Sequence, residues 1–308
     1  EPIGTVGPDG KYTSAVPGYE GKFALDMNVE MIKALAASGA LFAKGSLRHQ
    51  YAHCWRCKNP IIYRATEQWF SSVDGYRKKA LEAIDQVQWI PSWGHDRIYN
   101  MIRDRGDWCI SRQRVWGVPI PIFYCREHNH AVITDETIAH LQEIFAKEGS
   151  DAWWAHTEKE LLPGGFKCPE CGCTEFRKES DIMDVWFDSG CTHQGVLCHD
   201  PELAYPADMY LEGSDQHRGW FNSSLLTSVA ANGIAPYKAV LTHGFTVDGE
   251  GRKMSKSVGN TVAPQEVIDQ YGADVMRLWV SSADYQGDVR LSPKILKQLS
   301  DVYRKIRN

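Results

Sequence analysis

No run of apolar residues in this sequence is long enough to cross a bilayer, and no secretory leader stands at its start. A membrane-embedded or secreted role is not expected, and a cytoplasmic one is. Excess positive charge is missing as well. The 34 Lys and Arg set against 39 Asp and Glu leave a net charge of −5. With no global basic footprint, any nucleic-acid contact must be local. An initiating methionine is also absent. The chain opens on Glu1-Pro2-Ile3-Gly4 inside what reads as structured sequence, as expected of a piece of something longer. The rest is an ordinary globular balance, 43% hydrophobic and 24% charged, at a length that suggests roughly two domains.

Cysteine is plentiful: nine residues, including two CxxC pairs. Without a secretory leader they read as metal ligands in a reducing compartment rather than as disulfides. His53-Cys54-Trp55-Arg56-Cys57 puts two thiols on one turn. Zinc takes four ligands, and no second pair lies nearby in sequence. Cys54 and Cys57 are either half of a structural site or a pair of half-buried thiols. Residues 125–180 look like a separate module. Cys125-x-x-His128 opens it and Cys168-x-x-Cys171 closes it, around a helix expected over Thr134–Glu148. Two ligand pairs on tight turns make a zinc ribbon. The first choice of ligands is Cys125, His128, Cys168 and Cys171. His130 and Cys173 are alternates, because CPECGC offers two ways to supply the second pair. Four protein ligands would make the ion structural. The alternative is free cysteines in a loop.

Along the rest of the chain, residues 1–25 read as turns and short strands. A helix is expected from Asn28 to Gly39, a strand over Leu41–Arg48, and a strand entering a loop over Tyr63–Ser72. Another helix should cover about Tyr76 to Val87. From His95 to Arg114, Arg97, Arg103, Arg105, Arg112 and Arg114 interleave with Trp108, and Trp116 follows. Such a stretch could hold nucleic-acid backbone, or be a solvated helix face followed by a core-facing strand. Gly117–Tyr124 reads as an edge strand and Asp181–Gly190 as strand-like. Ala207–Gly213 is a strand whose end carries Glu212. Ser214 should cap a helix that runs to Asn232, with Phe221, Leu225 and Val229 on its core face. Strand, glycine, then a capped helix N-terminus is how α/β sheets bind nucleotides at the carboxyl ends of strands. Lys238–His243 is a further strand, Pro264 starts a helix ended by Gly272, and a basic helix closes the chain.

Gly251–Asn260, reading GRKMSKSVGN, follows a tight-turn signal at Asp248-Gly249. Lys253 and Lys256, with Ser255 and Ser257 beside them, suit a polyanion that is gripped and then released. Lysine is a compact point charge matched to a phosphate oxygen.

KMSKS at 253–257 resembles the signature loop of class I aminoacyl-tRNA synthetases. DVWFDSG, YLEGSDQHRGWF, LTHGFTVDGEGRKMSKSVGN, GADVMRLWV, HCWRCKNPIIYRATEQWF and WCISRQRVWGVPIP together resemble the bacterial isoleucyl-tRNA synthetase family over essentially the whole chain, with the valyl and leucyl families next. The resemblance implies an α/β fold: the second half of a Rossmann-like parallel-sheet catalytic domain, with an inserted zinc ribbon and the start of a C-terminal helical bundle. It implies an editing-domain tail over 1–50, a return into the catalytic domain over 51–124, the zinc insertion over 125–180, the catalytic second half over 181–280, and a helical tRNA-binding start over 281–308. The implied chemistry is ATP-dependent activation of L-isoleucine and transfer to tRNA(Ile), with Mg accompanying ATP and Zn structural. Glu212, Gly213, Asp215 and Gln216 would bind the adenylate, Trp186 and Trp220 would flank the isoleucine side chain, and Lys253 and Lys256 would meet the ATP phosphates. An apolar pocket discriminates poorly against one missing methylene, which implies an editing site.

The family's HIGH signature and most of its editing domain are absent from these residues. The expectation is that this polypeptide neither activates isoleucine nor edits without the rest of the same synthetase chain. Two other classes fit fewer of the motifs: a stand-alone adenylate- or tRNA-binding homologue, and a zinc-stabilised structural domain.

Overall fold

The computed structural model describes residues 4–256 and 258–308. Glu1, Pro2, Ile3 and Ser257 lie outside the described residues. The chain divides into two compact units, one ending at Gln68 and one spanning Trp69–Asn308.

In the first unit a 3₁₀ turn, Ala24–Met27, leads into the helix Asn28–Ala37, which buries none of its residues. Leu41–Arg48, expected as a strand, is irregular. Lys44-Gly45-Ser46 interrupts its apolar run, and among the described residues no strand pairs with it.

The second unit is built on helix α1 (Arg77–Asp85), strand β1 (Gln88–Ile90), helix α2 (Trp93–Arg103), helix α3 (Val185–Gly190), strand β2 (Tyr210–Gly213), helix α4 (Trp220–Asn232) and strand β3 (Ala239–His243). The three strands are parallel, with β3 in the middle. Val240 pairs with both Trp89 and Tyr210, and His243 pairs with Gly213. Trp89, Tyr210 and Val240 share one core with Ile98 and Ile102 of α2 and with Phe221, Leu225 and Val229 of α4. Each such side chain contributes about 1.5–3 kcal/mol on burial.

Phe221, Leu225 and Val229 form the expected core face, but α4 is more deeply enclosed than an amphipathic helix. Asn222, Ser223, Ser224 and Ser228 are buried too. Small residues let α3 come very close. A Cβ on Gly190 would sit 3.0 Å from the backbone carbon and oxygen of Ser223. The Thr227 hydroxyl donates to the Gly190 carbonyl at 2.8 Å and ties the two helices together. Gly233, left-handed at φ +75, ends α4.

Several expected elements are corrected. Asp181–Gly190 is only briefly extended, at Ile182–Met183, and then becomes α3. The Asp184 carboxylate accepts from the Trp186 N–H (3.3 Å), and this cap turns the chain into a helix. Ser214 does not cap α4. A 3₁₀ turn, Ser214–Arg218, intervenes, and the Gln216 side-chain oxygen accepts from the Trp220 N–H (2.9 Å). Of Tyr63–Ser72 only Phe70–Ser71 is strand. Of Gly117–Tyr124 only the last two residues join a ladder, in the strand Phe123–Cys125.

That strand pairs with Ala131–Val132 and Phe176–Lys178 in a small antiparallel sheet. The sheet packs with the helix Asp135–Glu148, capped by Thr134, over a core of Phe123, Leu141, Trp153 and Phe176. Farther on, the helices Pro264–Tyr271, Ala273–Ser282 and Pro293–Arg307 share Val267, Trp279 and Leu296.

Gly190→Ala is expected to force α3 and α4 apart and to destabilise the second unit by about 1–3 kcal/mol. Urea denaturation followed by circular dichroism measures this.

Candidate functional site

The carboxyl ends of the parallel strands gather several of the expected residues. Glu212 is exposed near the tip of β2, and Gly213 is buried at its last position. A Cβ on Gly213 would lie 2.9 Å from the Asp215 carboxylate, 3.5 Å from the Phe245 ring and 3.6 Å from the His243 ring. The absent side chain therefore lets the tip of β2, the first turn after it and the root of the lysine segment meet. Asp215 stays exposed, while Gln216 is turned inward onto the Trp220 N–H.

The two tryptophans have different surroundings. Trp186 lies against Gly219 and lines a cavity of about 440 Å³ together with Arg105, Trp108, Arg112, Asp184 and Arg218. Trp220 stacks flat on Tyr210, with centroids 4.0 Å apart, and donates from Nε1 to the Ser189 carbonyl (2.9 Å). It is not among the lining residues. Asp184 braces the cavity wall. It accepts from Trp108 Nε1 (3.0 Å) and pairs with Arg112 (2.9 Å). Burial pushes the nearby Asp188 carboxyl up to about 6, helped by the charge of Asp184. Burial also pulls the Arg105 guanidinium down, and its Nε is enclosed without a partner.

The lysine segment is shaped by Asp248. Its carboxylate accepts from the backbone N–H groups of Glu250 (3.0 Å) and Arg252 (2.9 Å), from Arg252 Nε (2.8 Å) and from Asn260 Nδ2 (3.0 Å). The Asn260 amide leads the set of donors that holds this carboxyl far below the usual range. Asn260 also donates to the Lys253 carbonyl (3.1 Å) and accepts from the Ser255 N–H (2.9 Å). The backbone of the segment is thus fixed from within, while Lys253 and Lys256 are exposed. Sequence reasoning took Asp248 only as a turn signal and gave Asn260, His243, Phe245 and Asp184 no role. An aspartate with an asparagine twelve residues on is too common a pattern to single out.

The cysteines form three knuckles of one geometry. The Cys125 N–H donates to the His130 carbonyl (3.1 Å) and its carbonyl accepts from Asn129 N (2.8 Å), with Asn129 left-handed at φ +54. Cys168 repeats this with Cys173 and Gly172, and Cys54 with Asn59 and Lys58. Such turns aim N–H groups at sulfur. Burial alone would raise the Cys125 thiol, but the N–H groups of His128 and Glu127 outweigh it and bring the group down to about 6.

Ligand atoms of Cys125, His130, Cys168 and Cys171 lie within 4.8 Å of one another. Cys125 and Cys171 sulfurs are 3.5 Å apart, and His130 Nε2 is 2.7 Å from Cys168 Sγ. Three thiols and an imidazole so placed suit a tetrahedral zinc ion. His130, the alternate, stands in this set. His128 instead faces outward with Glu127 and Cys171, and Cys173 donates to the Glu175 carbonyl. Among the described residues no third Cys, His, Asp or Glu completes a set with Cys54 and Cys57.

A parallel α/β sheet with a glycine and an acid at a strand tip, beside a cationic loop, is the arrangement these residues form. The sequence profile described as tRNA synthetases class I (I, L, M and V) matches residues 13–292, and the chain belongs to that family. It is 63% identical over 299 residues to the isoleucine--tRNA ligase of Moorella thermoacetica, covering 97% of this chain and 32% of that protein. It is 64% identical over 303 residues to that of Desulfitobacterium hafniense, covering 98% and 33%. The chain therefore spans about a third of the length of these relatives. Among solved structures, Mycobacterium tuberculosis methionyl-tRNA synthetase in complex with methionyl-adenylate superposes with a TM-score of 0.50 at 18% identity, over 80% of this chain and 39% of that one. That likeness shows the fold.

His130→Ala and Cys168→Ser are expected to abolish one equivalent of bound zinc in elemental analysis, whereas His128→Ala keeps it. Loss of zinc in His128→Ala alone would contradict the observed cluster.

Proposed function

We propose that this chain is part of an enzyme that activates L-isoleucine with ATP and transfers it to tRNA(Ile). The reading rests above all on Gly213, where the tip of β2 and the root of the lysine segment come together. The identity to isoleucine--tRNA ligases supports the choice of amino acid.

In the first step an isoleucine carboxylate oxygen attacks the α-phosphorus of ATP. The new P–O bond gives isoleucyl-adenylate, and pyrophosphate leaves with the electron pair of the broken bond. No protein group needs to move a proton. The chain needs to align the reactants and stabilise the charge that develops. Glu212, Gly213, Asp215 and Gln216 bind the adenylate in this reading. Trp186 and Trp220 flank the isoleucine side chain, and Lys253 and Lys256 meet the phosphates. Mg accompanies ATP and offsets its charge. In the second step a ribose hydroxyl of the tRNA end attacks the activated carbonyl and AMP departs.

Cys125, His130, Cys168 and Cys171 would hold a zinc ion as its four protein ligands, and the ion's role would be to stabilise the module around Trp153. Cys54 and Cys57, on the same kind of knuckle, are half of a second structural site. The work is assigned to the cytoplasm. Among the described residues no helix is long and apolar enough to cross a membrane.

In the full-length protein that carries this segment, Lys256→Ala is expected to lower isoleucine-dependent ATP–pyrophosphate exchange roughly 100- to 1,000-fold. Wild-type protein should exchange with isoleucine and far less with leucine or methionine. Exchange unaffected by Lys256→Ala would remove the lysine segment from the reaction.

A further inference from the structure

Beside the cluster of Cys125, His130, Cys168 and Cys171 stands a second group of ligand atoms. One atom each from Glu127, His128 and Cys171 lies within 4.8 Å of the others, and all three residues are exposed. Cys171 belongs to both groups. In the inner cluster Cys125 and Cys168 are buried and His130 is half-buried, which leaves Cys171 as the exposed ligand. A hydrated ion arriving from solvent meets Cys171 before it can meet the others. The way into the cluster, and out of it, therefore passes the outer group.

The turn that carries the outer group is fixed from behind. The Arg126 N–H donates to the Glu175 carbonyl (3.0 Å) and Arg126 Nε to the Phe176 carbonyl (2.9 Å), so this cation is spent on the neighbouring strand. Asn129, left-handed at φ +54, accepts from Arg177 Nη2 (2.8 Å). Glu127 and His128 lie between these two anchors. The His128 and His130 rings are stacked, with centroids 6.1 Å apart and planes 21° from parallel, so the outer imidazole stands next to the inner one. The Glu170 carboxylate, 3.6 Å from His130 Nδ1, adds negative charge at the same place.

The two groups differ in what they offer a metal ion. Four protein ligands close the shell of a tetrahedral zinc, whereas three of mixed oxygen, nitrogen and sulfur type leave a position to water. An ion with an open position exchanges ligands, and a thiolate can keep hold of it while the other ligands are replaced. We propose that Glu127, His128 and Cys171 form an entry site, which captures zinc from solution and from which Cys171 hands it to the inner cluster. This rests on the reading of the inner cluster as a zinc site. In the transfer, Cys125, His130 and Cys168 replace Glu127, His128 and the remaining water. Each thiol gives its proton to solvent as its sulfur binds, and no group is oxidised or reduced. The same residues, in reverse order, let the ion out.

The test is exchange of bound zinc against isotopically enriched zinc in the full-length protein, read by mass spectrometry of the metal after gel filtration. Glu127→Gln combined with His128→Ala is expected to slow exchange of one equivalent about 10- to 100-fold, the range over which residues around a metal's direct ligands act. Zinc affinity, measured by competition with a chelator, should not change, because entry and exit slow together. His128→Cys restores a ligand and should recover most of the rate. Glu136→Gln, at an exposed position of the same module, removes a charge without removing a ligand and should exchange like wild type. Equal rates in wild type and the double variant overturn the proposal. A matching loss of affinity also overturns it, because His128 would then hold the resident ion. Equal slowing by Glu136→Gln assigns the effect to bulk charge and overturns it too. If wild type holds no zinc that Cys168→Ser removes, the cluster reading itself fails and the entry site falls with it.

Discussion

The lysine segment depends on one carboxylate. A loop with Arg252, Lys253 and Lys256 so close together repels itself, and its glycines resist order. Asp248 offsets both effects. It collects four hydrogen bonds from within the loop and pairs with Arg252, while Lys253 and Lys256 are exposed. Because its folded-state pKa is depressed, the stabilisation is in place above the ordinary carboxylate range and disappears only as pH falls through the lowered value. The loop backbone is therefore set across neutral and weakly acidic conditions.

A second constraint lies between α3 and α4. The small residues between α3 and α4 allow helix backbones to touch, with the Thr227–Gly190 bond as fastener. This fixes Trp186, Asp184 and Gly219 on a rigid wall, while β2 and β3 run parallel and end together. Placing chemistry on strand tips and short turns of a close-packed scaffold is the general strategy of open α/β sheets. Within the cysteine-bearing module, Trp153 Nε1 donates to the Glu179 carbonyl (3.0 Å).

Much of this was legible in the residues, and the exceptions have local causes. The core face of α4, its stop at Gly233, the strand ending at Glu212-Gly213 and the helix starting at Pro264 follow from periodicity, left-handed glycine and proline at a first turn. Asp181–Gly190 misled because its apolar density suits a strand, whereas Asp184 caps a helix through its own carboxylate. Ser214 misled because its hydroxyl is a good cap in isolation, while Gln216 reaches the helix start from one turn away. In the metal cluster, spacing singled out His128, since knuckle ligands usually stand three apart. Pairing of Phe123–Cys125 with Ala131–Val132 instead aims His130 at Cys168, a register that spacing alone does not reveal. The roles of Glu212, Asp215 and Lys256 came from motif likeness. The structure supplies their neighbourhood.

The proposed function requires an aminoacyl nucleotide across the tips of β2 and β3 beneath the lysine segment. The most direct measurement is a crystal structure of the full-length protein with a non-hydrolysable isoleucyl-adenylate analogue. The account predicts the ribose hydroxyls at Asp215 or Gln216, the adenylate beside Glu212 and Gly213, and Lys256 within hydrogen-bond reach of the phosphate mimic. An analogue bound away from the β2 tip, or with Lys256 turned to solvent on another face, would contradict it.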